Sequence, residues 1–247
     1  MFKEYGEMAA TLYELTKPAG HSVDGDIEYY CGRLAGVKGK ILEAGVGTGR
    51  MLVPLLQQGF DVDGVDISRP MLQRCEANLA KHGLTAKLYR QDLTELELPE
   101  KYAAIIMPTG SFCLLPKKLV RDVLKSFLKQ LEGGGKIIID LIFPQDFKRG
   151  EVVAQTYPLS SDNGILYTNI SRDINWVEQK TSQIIKYEMV KSGEVVCTEV
   201  SDFTLFWYGV EEFVMLLQQA GFAEIDYEFG YGMDKDLGLV TFTAFGP

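Results

Sequence analysis

The sequence predicts an α/β fold in which a doubly wound, mainly parallel sheet carries an inserted antiparallel β-sheet and an N-terminal helical lid. Over residues 36–143, short apolar runs alternate with amphipathic stretches, the pattern of parallel strands joined by right-handed helical crossovers. Residues 144–208 instead contain runs rich in threonine, valine, isoleucine and aromatic residues, which favours antiparallel strands. A glycine-rich loop at residues 45–49 follows the first apolar run and is typical of a ligand-binding sheet edge.

Helices are predicted at both ends of the chain. Within residues 1–35, the apolar positions of segments 8–15 and 27–34 recur near the helical period. These segments would form a mostly helical lid that folds over the sheet edge. A further helical stretch at 210–221 is followed by two short apolar runs, 223–227 and 239–245, which we interpret as closing strands.

The insertion at residues 144–208 is predicted to be an antiparallel sheet. Its strand-like runs cover 165–176, 181–191 and 194–206. Ser192 and Gly193 separate the last two runs, and two residues of this kind between strands are typical of a tight hairpin.

The glycine loop lies between two buried strands and carries the main functional signal. The first run ends in Glu43, the loop has glycine at positions 45, 47 and 49, and the second run ends in Asp66. Glycines let the backbone approach a ligand closely, and an acid at a strand end can accept hydrogen bonds from ribose hydroxyls. The sequence therefore predicts a nucleotide-type cofactor site at the carboxyl edge of the sheet.

The glycine spacing distinguishes two classes of cofactor. A dinucleotide site requires G-x-G-x-x-G, but Arg50 occupies the position of the third glycine. The run from Glu43 to Gly49 instead resembles the first motif of class I S-adenosylmethionine (SAM)-dependent methyltransferases, E/D-x-G-x-G-x-G. A carboxylate there would suit the cationic amino-acid end of SAM and would be awkward beside the pyrophosphate of NAD.

The resemblance continues in the order that this family has. The segment 68–72 looks like the turn and helix start after the second strand, 88–93 like the third-strand segment, and 133–141 like the loop and fifth strand. Residues 210–222 look like the last helix and its A-G-F ending. The resemblance implies a seven-stranded sheet with a reversed final strand, and a SAM-binding core formed by residues 36–143 and 209–247.

The resemblance also implies roles for individual residues. Gly45, Gly47 and Gly49 would approach the methionine portion and the ribose, with Glu43 favouring the cationic end and Asp66 holding the ribose. The adenine site would be formed by four further residues: Ile67, Met71, Asp92 and Leu93. Several alternatives stay open: turn geometry for the glycines, helix capping or a surface role for Glu43, helix capping for Asp92, and ordinary core packing for Ile67 and Met71.

The catalytic candidates come from the lid and from the segment after the fourth strand. Thr109 would contact the cofactor and Ser111 would lie near the transferred methyl group, although both also suit a simple turn. Tyr13 resembles a lid tyrosine whose ring could face the sulfonium. His21 is a candidate general base, with a surface position as its alternative, and Asp140 is a candidate carboxylate base. The N/D-P-P-Y/F motif of enzymes that methylate DNA bases or glutamine side chains is absent at 107–112.

The insertion matters for the acceptor. In this family, appendages to the sheet shape the acceptor pocket, so residues 144–208 are expected to contribute to a small-molecule site, to a homodimer contact, or to both. Four side chains on or beside the insertion are candidates for lining the pocket, with packing or surface roles as alternatives: Arg172, Trp176, Trp207 and Tyr208.

Composition excludes several other functions. The net charge of −9 and a sequence pI of about 4.9 argue against nucleic-acid binding, which requires a basic surface. Apolar runs are far shorter than the roughly twenty residues of a membrane span, and no signal-peptide pattern is visible, so a cytoplasmic protein without a membrane partner is expected. Two histidines are too few for a histidine-built metal site, and no metal is predicted.

These observations together predict a SAM-dependent methyltransferase. It would move the methyl group of SAM to an N or O atom of a small-molecule acceptor by in-line displacement, leaving S-adenosylhomocysteine (SAH). Two alternatives remain: a non-catalytic module that binds SAM or SAH, and an NAD(P)-dependent oxidoreductase.

Overall fold

The computed structural model describes residues 5–232 and 238–247. Parts of the predicted lid (residues 1–4) and of the predicted core (233–237) lie outside the described residues. The strands are β1 (Ile41–Ala44), β2 (Val62–Asp66), β3 (Leu88–Arg90), β4 (Tyr102–Met107), β5 (Leu131–Ile142), β6 (Val152–Pro158), β7 (Asn163–Asn175), β8 (Lys180–Lys191), β9 (Glu194–Phe206), β10 (Ala223–Phe229) and β11 (Leu239–Phe245). The α-helices are α1 (Glu7–Thr16), α2 (Asp26–Leu34), α3 (Leu52–Gln57), α4 (Arg69–Lys81), α5 (Val120–Gln130) and α6 (Val210–Ala220).

The larger sheet has seven strands in the order β10-β11-β5-β4-β1-β2-β3. Strands β1 to β5 pair in parallel, whereas β11 pairs antiparallel to both β5 and β10. The first strand, β1, lies in the interior of the sheet, and later strands are added on both sides of it. The connecting helices therefore cover both faces of the sheet. The predicted fold class is confirmed, including the reversed final strand.

Burial on both faces explains the composition of the central strands. Residues 104–107 of β4 and 137–139 of β5 are almost continuously apolar and buried, as expected where each face of a parallel sheet is covered. One hydrophobic core lies under α5 and α6, and the other lies under α2, α3 and α4. None of the helices in the described part of the chain combines the length and the apolar character needed to span a bilayer.

The second sheet is antiparallel, in the order β6-β7-β8-β9. Lys191 pairs with Glu194 across a hairpin whose central residues, Ser192 and Gly193, have φ of 49° and 83°. Two positive φ values are typical of the turn that matches the twist of a two-residue hairpin. Strand β6 was not predicted, because it is a largely exposed edge strand and lacks the alternation that indicates a buried face.

Helix α1 packs on this second sheet. Met8, Ala9 and Leu12 share a hydrophobic cluster with Ile165, Ile185 and Tyr187. At the start of the helix, the backbone nitrogens of Met8 and Ala9 donate to the carboxylate of Glu199, at 3.1 and 3.4 Å. Helix α1 and the inserted sheet are therefore joined by both apolar packing and hydrogen bonds.

Candidate cofactor and acceptor site

The glycine loop leaves β1 at the carboxyl edge of the sheet. The backbone nitrogens of Gly45 and Val46 donate to the carbonyl of Val65, at 2.8 and 3.0 Å, which fastens the loop to β2. A Cβ on Gly49 would lie 2.8 Å from the Cys75 sulfur, whereas a Cβ on Gly47 would find no atom closer than 4.0 Å. Gly49 is thus required by packing, and Gly47 presents an open backbone surface.

Asp66 lies directly against this loop. Its Oδ2 accepts a hydrogen bond from the Gly47 nitrogen at 2.9 Å, and its Oδ1 accepts one from the Ser68 nitrogen at 2.8 Å. The next residue, Ile67, leaves 42% of its surface exposed, whereas Met71 is buried. Of the two candidates for the adenine face, Ile67 therefore offers the free apolar surface and Met71 packs inside.

Asp92 and Leu93 lie at the end of β3. The Asp92 side chain accepts hydrogen bonds from the nitrogen and the hydroxyl of Thr94, at 2.9 and 2.8 Å, so it caps the short helix Leu93–Glu95. Leu93 packs in the core under α5. The capping alternative for Asp92 is thus observed, and the adenine contact stays a prediction.

Glu43 is buried at the end of β1 beside an arginine. Only 3% of its surface is exposed, and among the described residues its Oε2 has no hydrogen-bond partner. Burial raises the pKa of this carboxyl from 4.5 to about 8, against the lowering effect of the Arg50 charge. In the ligand-free protein, this carboxyl is therefore largely protonated at neutral pH and lies where a cation would favour its ionisation.

Arg50 and Asp26 form a buried ion pair beside the candidate site, which the sequence analysis missed. The Arg50 guanidinium bonds the Asp26 carboxylate from Nη2 to Oδ2 at 2.5 Å and from Nη1 to Oδ1 at 3.2 Å. Its Nη1 also donates to the backbone carbonyl of His21 at 2.8 Å. The sequence did indicate that Arg50 has an acidic partner, because an arginine that enters a buried segment requires a counterion. The pattern offered no way to choose Asp26 among the acids of the chain.

A cavity of about 190 Å³ opens between the N-terminal segment, the end of the glycine loop and the inserted sheet. Its polar wall contains Tyr5, Tyr13, Lys17, Arg50, Thr109 and Ser111, and its apolar wall contains Val23, Leu114, Ile142, Phe203 and Leu205. Burial raises the pKa of Tyr13, against the lowering effect of Arg50. Burial lowers the pKa of Lys17, and Arg50 adds to this effect.

Several predicted residues meet at this cavity and others do not. Tyr13, Thr109 and Ser111 line it, whereas the His21 side chain is exposed and only its carbonyl reaches Arg50. The four candidates from the insertion, Arg172, Trp176, Trp207 and Tyr208, are absent from the lining. Trp176 packs edge-on against Trp207, and Tyr208 lies in the core. Strand β9 instead contributes Phe203 and Leu205.

The turn after β4 connects the cavity to the glycine loop. Thr109 has a φ of 53°, and its hydroxyl accepts a hydrogen bond from Arg50 Nη2 at 3.3 Å. A Cβ on Gly45 would lie 3.6 Å from the Ser111 Cβ, so the turn and the loop pack together. Within residues 5–232 and 238–247, no cluster of three histidines, cysteines or acids is placed to hold a metal ion.

Comparisons with known proteins agree with this geometry. Residues 41–135 match the family model described as a methyltransferase domain. A cypemycin N-terminal methyltransferase of Streptomyces sp. is 28% identical over 131 residues, which are 52% of this chain and 53% of that protein. The chain spans about half the length of the curated relatives it matches.

Solved structures extend the similarity of fold to nearly the whole chain. A S-adenosylmethionine-dependent methyltransferase from Clostridium acetobutylicum superposes with a TM-score of 0.74 at 18% identity, covering 96% of this chain and 97% of that one. The sugar N-methyltransferase KedS8 from Streptoalloteichus sp. gives a TM-score of 0.74 at 20% identity, covering 95% and 92%. Residues 41–135 thus match the methyltransferase-domain family model, and the chain as a whole has the fold of solved S-adenosylmethionine-dependent methyltransferases.

Proposed function

We propose that this protein transfers the methyl group of SAM to an amine of a small-molecule acceptor. The observation that carries the proposal is the contact between Gly47 and Asp66. It joins an open backbone surface to a strand-end acid, within the segment that matches the methyltransferase-domain family.

The chain offers a suitable partner for each part of SAM. Asp66 would hold the ribose, and Ile67 would cover one adenine face with its exposed side chain. Glu43 would face the ammonium group, because its buried carboxyl gains most from a neighbouring cation. Asp92, Leu93 and Met71 remain proposed contributors to the adenine site, with Asp92 also capping its own turn.

When bound, SAM supplies a methyl group on a positively charged sulfur. The contribution of the protein is alignment of the acceptor and exclusion of water, which can provide about 7–11 kcal/mol of barrier lowering. Tyr13, Thr109 and Ser111 form part of the polar wall against which an acceptor would be held. The aromatic ring of Tyr13 would also favour a cation nearby, by about 0.5–2 kcal/mol.

The chemistry of the cavity favours an amine over an alcohol. The described residues that line it include no histidine, aspartate or glutamate, and the tyrosines Tyr5 and Tyr13 have pKa values raised by burial. An alcohol would require a general base, whereas an amine that arrives neutral already carries the attacking lone pair. The sugar N-methyltransferase and the cypemycin N-terminal methyltransferase among the similar proteins support the same choice.

The inserted sheet is proposed to select the acceptor. Phe203 and Leu205, two residues apart on β9, present side chains to the cavity, as alternate residues of a strand do. A homodimer contact through the exposed parts of the same sheet is a second proposed role, and sedimentation equilibrium would test it.

Calorimetric titration with SAH tests the cofactor assignment. Wild-type protein should bind SAH and not NADH, and Asp66→Asn should weaken SAH binding by about tenfold or more, since it removes a charged acceptor. Asp61→Asn is the matched control, because Asp61 is an exposed acid that directly precedes the same strand, at the end opposite to Asp66. Absence of SAH binding, or preference for NADH, would reject the proposal.

Turnover distinguishes an enzyme from a binding module. Wild-type protein would be incubated with SAM and matched pairs of small amino and hydroxyl compounds, and SAH release would be followed. Methylation confined to the amino compounds supports the proposal. Binding of SAH without turnover across a broad panel would favour the non-catalytic alternative, and methylation of hydroxyls would reject the choice of an amine.

A further inference from the structure

Asp140 is a fully buried acid on β5 that receives four hydrogen bonds. Its Oδ2 accepts from the Thr109 nitrogen and from the Tyr231 hydroxyl, both at 2.6 Å. Its Oδ1 accepts from the Tyr30 hydroxyl at 2.9 Å and from the Thr241 hydroxyl at 2.7 Å. One carboxylate thus joins α2, β11, the segment after β10 and the turn after β4.

The bond to Thr109 differs from the other three. Thr109 is a β-branched residue with a φ of 53°, a conformation that such residues rarely adopt. Conformations of this kind persist only where the surroundings hold them in place. A backbone N–H has no second way to be satisfied, whereas the three hydroxyls can rotate and can accept as well as donate.

The turn held in this way forms part of the candidate site. Thr109, Gly110 and Ser111 all line the cavity. The Thr109 hydroxyl contacts Arg50, and Ser111 packs against Gly45 of the cofactor loop. A change in the Thr109 backbone would therefore move both the cavity wall and a support of the glycine loop.

We propose that Asp140 is a positioning residue for methyl transfer, which fixes the turn of residues 109–111 by holding the Thr109 N–H. The part of this inference that concerns methyl transfer rests on the proposed function of the cavity. Asp140 has no exposed surface and is absent from the cavity lining, so its effect reaches the cavity through Thr109. Burial raises the pKa of this carboxyl to about 6, against the four hydrogen bonds that lower it, so it remains a strong acceptor at neutral pH.

Substitutions of Asp140 separate positioning from bulk stability. In Asp140→Asn, the amide oxygen can keep the Thr109 and Tyr231 bonds, while the amide nitrogen donates to the hydroxyls of Tyr30 and Thr241. Asp140→Val has a similar volume but offers no acceptor. Thr241→Val is the matched control, because it removes one bond to the same carboxylate from the oxygen that does not contact Thr109.

The main readout is the hydrogen-exchange rate of the Thr109 amide, which NMR measures. Exchange should be slow in wild type, Asp140→Asn and Thr241→Val, and about a hundredfold faster in Asp140→Val. The dissociation constant of SAH should rise about tenfold in Asp140→Val and stay within about twofold in the other two variants. Unchanged Thr109 exchange in a folded Asp140→Val protein, or equal loss of SAH affinity in all three variants, would overturn the proposal.

A measurement on the wild type covers the case in which Asp140→Val does not fold. The titratable groups that face the carboxylate are the hydroxyls of Tyr30 and Tyr231 and, somewhat further away, Tyr29 and Cys113. Burial raises the pKa values of all four groups, so none of them titrates below pH 8. The chemical shift of the Thr109 amide proton should therefore change with a midpoint near pH 6, the pKa of Asp140, and a pH-independent resonance would contradict the proposal.

If wild type does not bind SAH, the proposed function fails and the methyl-transfer role of Asp140 fails with it. The Thr109 readouts would still show whether Asp140 holds the turn.

Discussion

Arg50 and Asp26 form a buried ion pair directly behind the glycine loop. The two side chains are only 4% and 0% exposed, and the Nη2–Oδ2 distance is 2.5 Å. Asp26 also accepts a hydrogen bond from the Val23 nitrogen at 2.8 Å, at the turn that precedes α2. The pair therefore fixes the start of α2 against the residue that follows the last glycine of the loop.

We expect Asp26→Asn to be strongly destabilising. Removing one member of a buried pair leaves the other charge without compensation, which typically costs about 3–5 kcal/mol of unfolding free energy. Glu178→Gln is the control, because the Lys180–Glu178 pair lies 2.5 Å apart on an exposed surface and is expected to contribute less than about 1 kcal/mol. Urea denaturation measures both, and equal effects of the two substitutions would contradict the importance of burial.

Substitution of Gly47 and Gly49 by alanine should have different effects. Both glycines have positive φ, so each substitution costs about 1–2 kcal/mol of stability from backbone strain. Gly49→Ala adds the overlap with Cys75, which brings a further cost of about 1–3 kcal/mol. Gly47→Ala places its methyl group in the open space where the cofactor would approach, so SAH affinity should fall about tenfold or more.

Denaturation and SAH calorimetry on the two variants separate turn geometry from ligand contact. If Gly47→Ala binds SAH as tightly as wild type, Gly47 serves the turn alone. If Gly49→Ala is no less stable than Gly47→Ala, the contact with Cys75 is easily relieved.

The local parts of the site could be read from the sequence, and the long-range parts could not. The glycine loop, Asp66 and the hairpin at Ser192–Gly193 depend on neighbouring residues, whose types state the required geometry. The Arg50–Asp26 pair spans 24 positions and the Thr109–Asp140 bond spans 31. Such pairings depend on which strand ends meet, and the residue types alone do not specify a partner.

The lining of the cavity shows a second reason why part of the site could not be predicted from the sequence. Successive residues of a strand face opposite sides of a sheet, so a shift of one position exchanges the two faces. The sequence identified the region that contributes to the cavity, but it pointed to the large aromatic residues near the ends of the strands. Phe203 and Leu205 face the cavity instead, and Phe203 also packs against the cluster that α1 forms with the sheet.

Glu199 is expected to control the attachment of the lid helix. Its carboxylate receives the first N–H groups of α1, where a negative charge also interacts favourably with the helix dipole. Glu199→Ala should lower the stability of α1 by about 1 kcal/mol and should speed amide exchange in residues 7–16 about fivefold. Glu199→Gln, which keeps an acceptor, should show a smaller effect.

Glu194→Ala provides the control for the lid measurement, because Glu194 is an exposed acid at the start of the same strand. Exchange in residues 7–16 should not change in this variant. Mass-spectrometric hydrogen exchange resolves the segment, and equal acceleration in Glu194→Ala and Glu199→Ala would show that the contact with the helix N-terminus is unimportant.

Cofactor binding should release a proton from Glu43. The pKa of this carboxyl is about 8 in the ligand-free protein, so at pH 7 it is mostly neutral. The ammonium group of SAM would favour the ionised form and lower this pKa, so up to about one proton should leave for each SAM bound at pH 7. Above pH 8 the release should decline, because the carboxyl is then already ionised.

Calorimetry at pH 7 in two buffers with different ionisation enthalpies measures this proton. The observed binding enthalpy of SAM should depend on the buffer for wild type and not for Glu43→Gln. Methylthioadenosine, which lacks the amino-acid group, should show no buffer dependence with either protein. The same raised pKa predicts that stability falls as the pH rises from about 4.5 through about 8, and that Glu43→Gln removes this part of the slope. A buffer-independent enthalpy for SAM with wild type would place the ammonium group away from Glu43, and the contact at the cationic end would then have to come from another group.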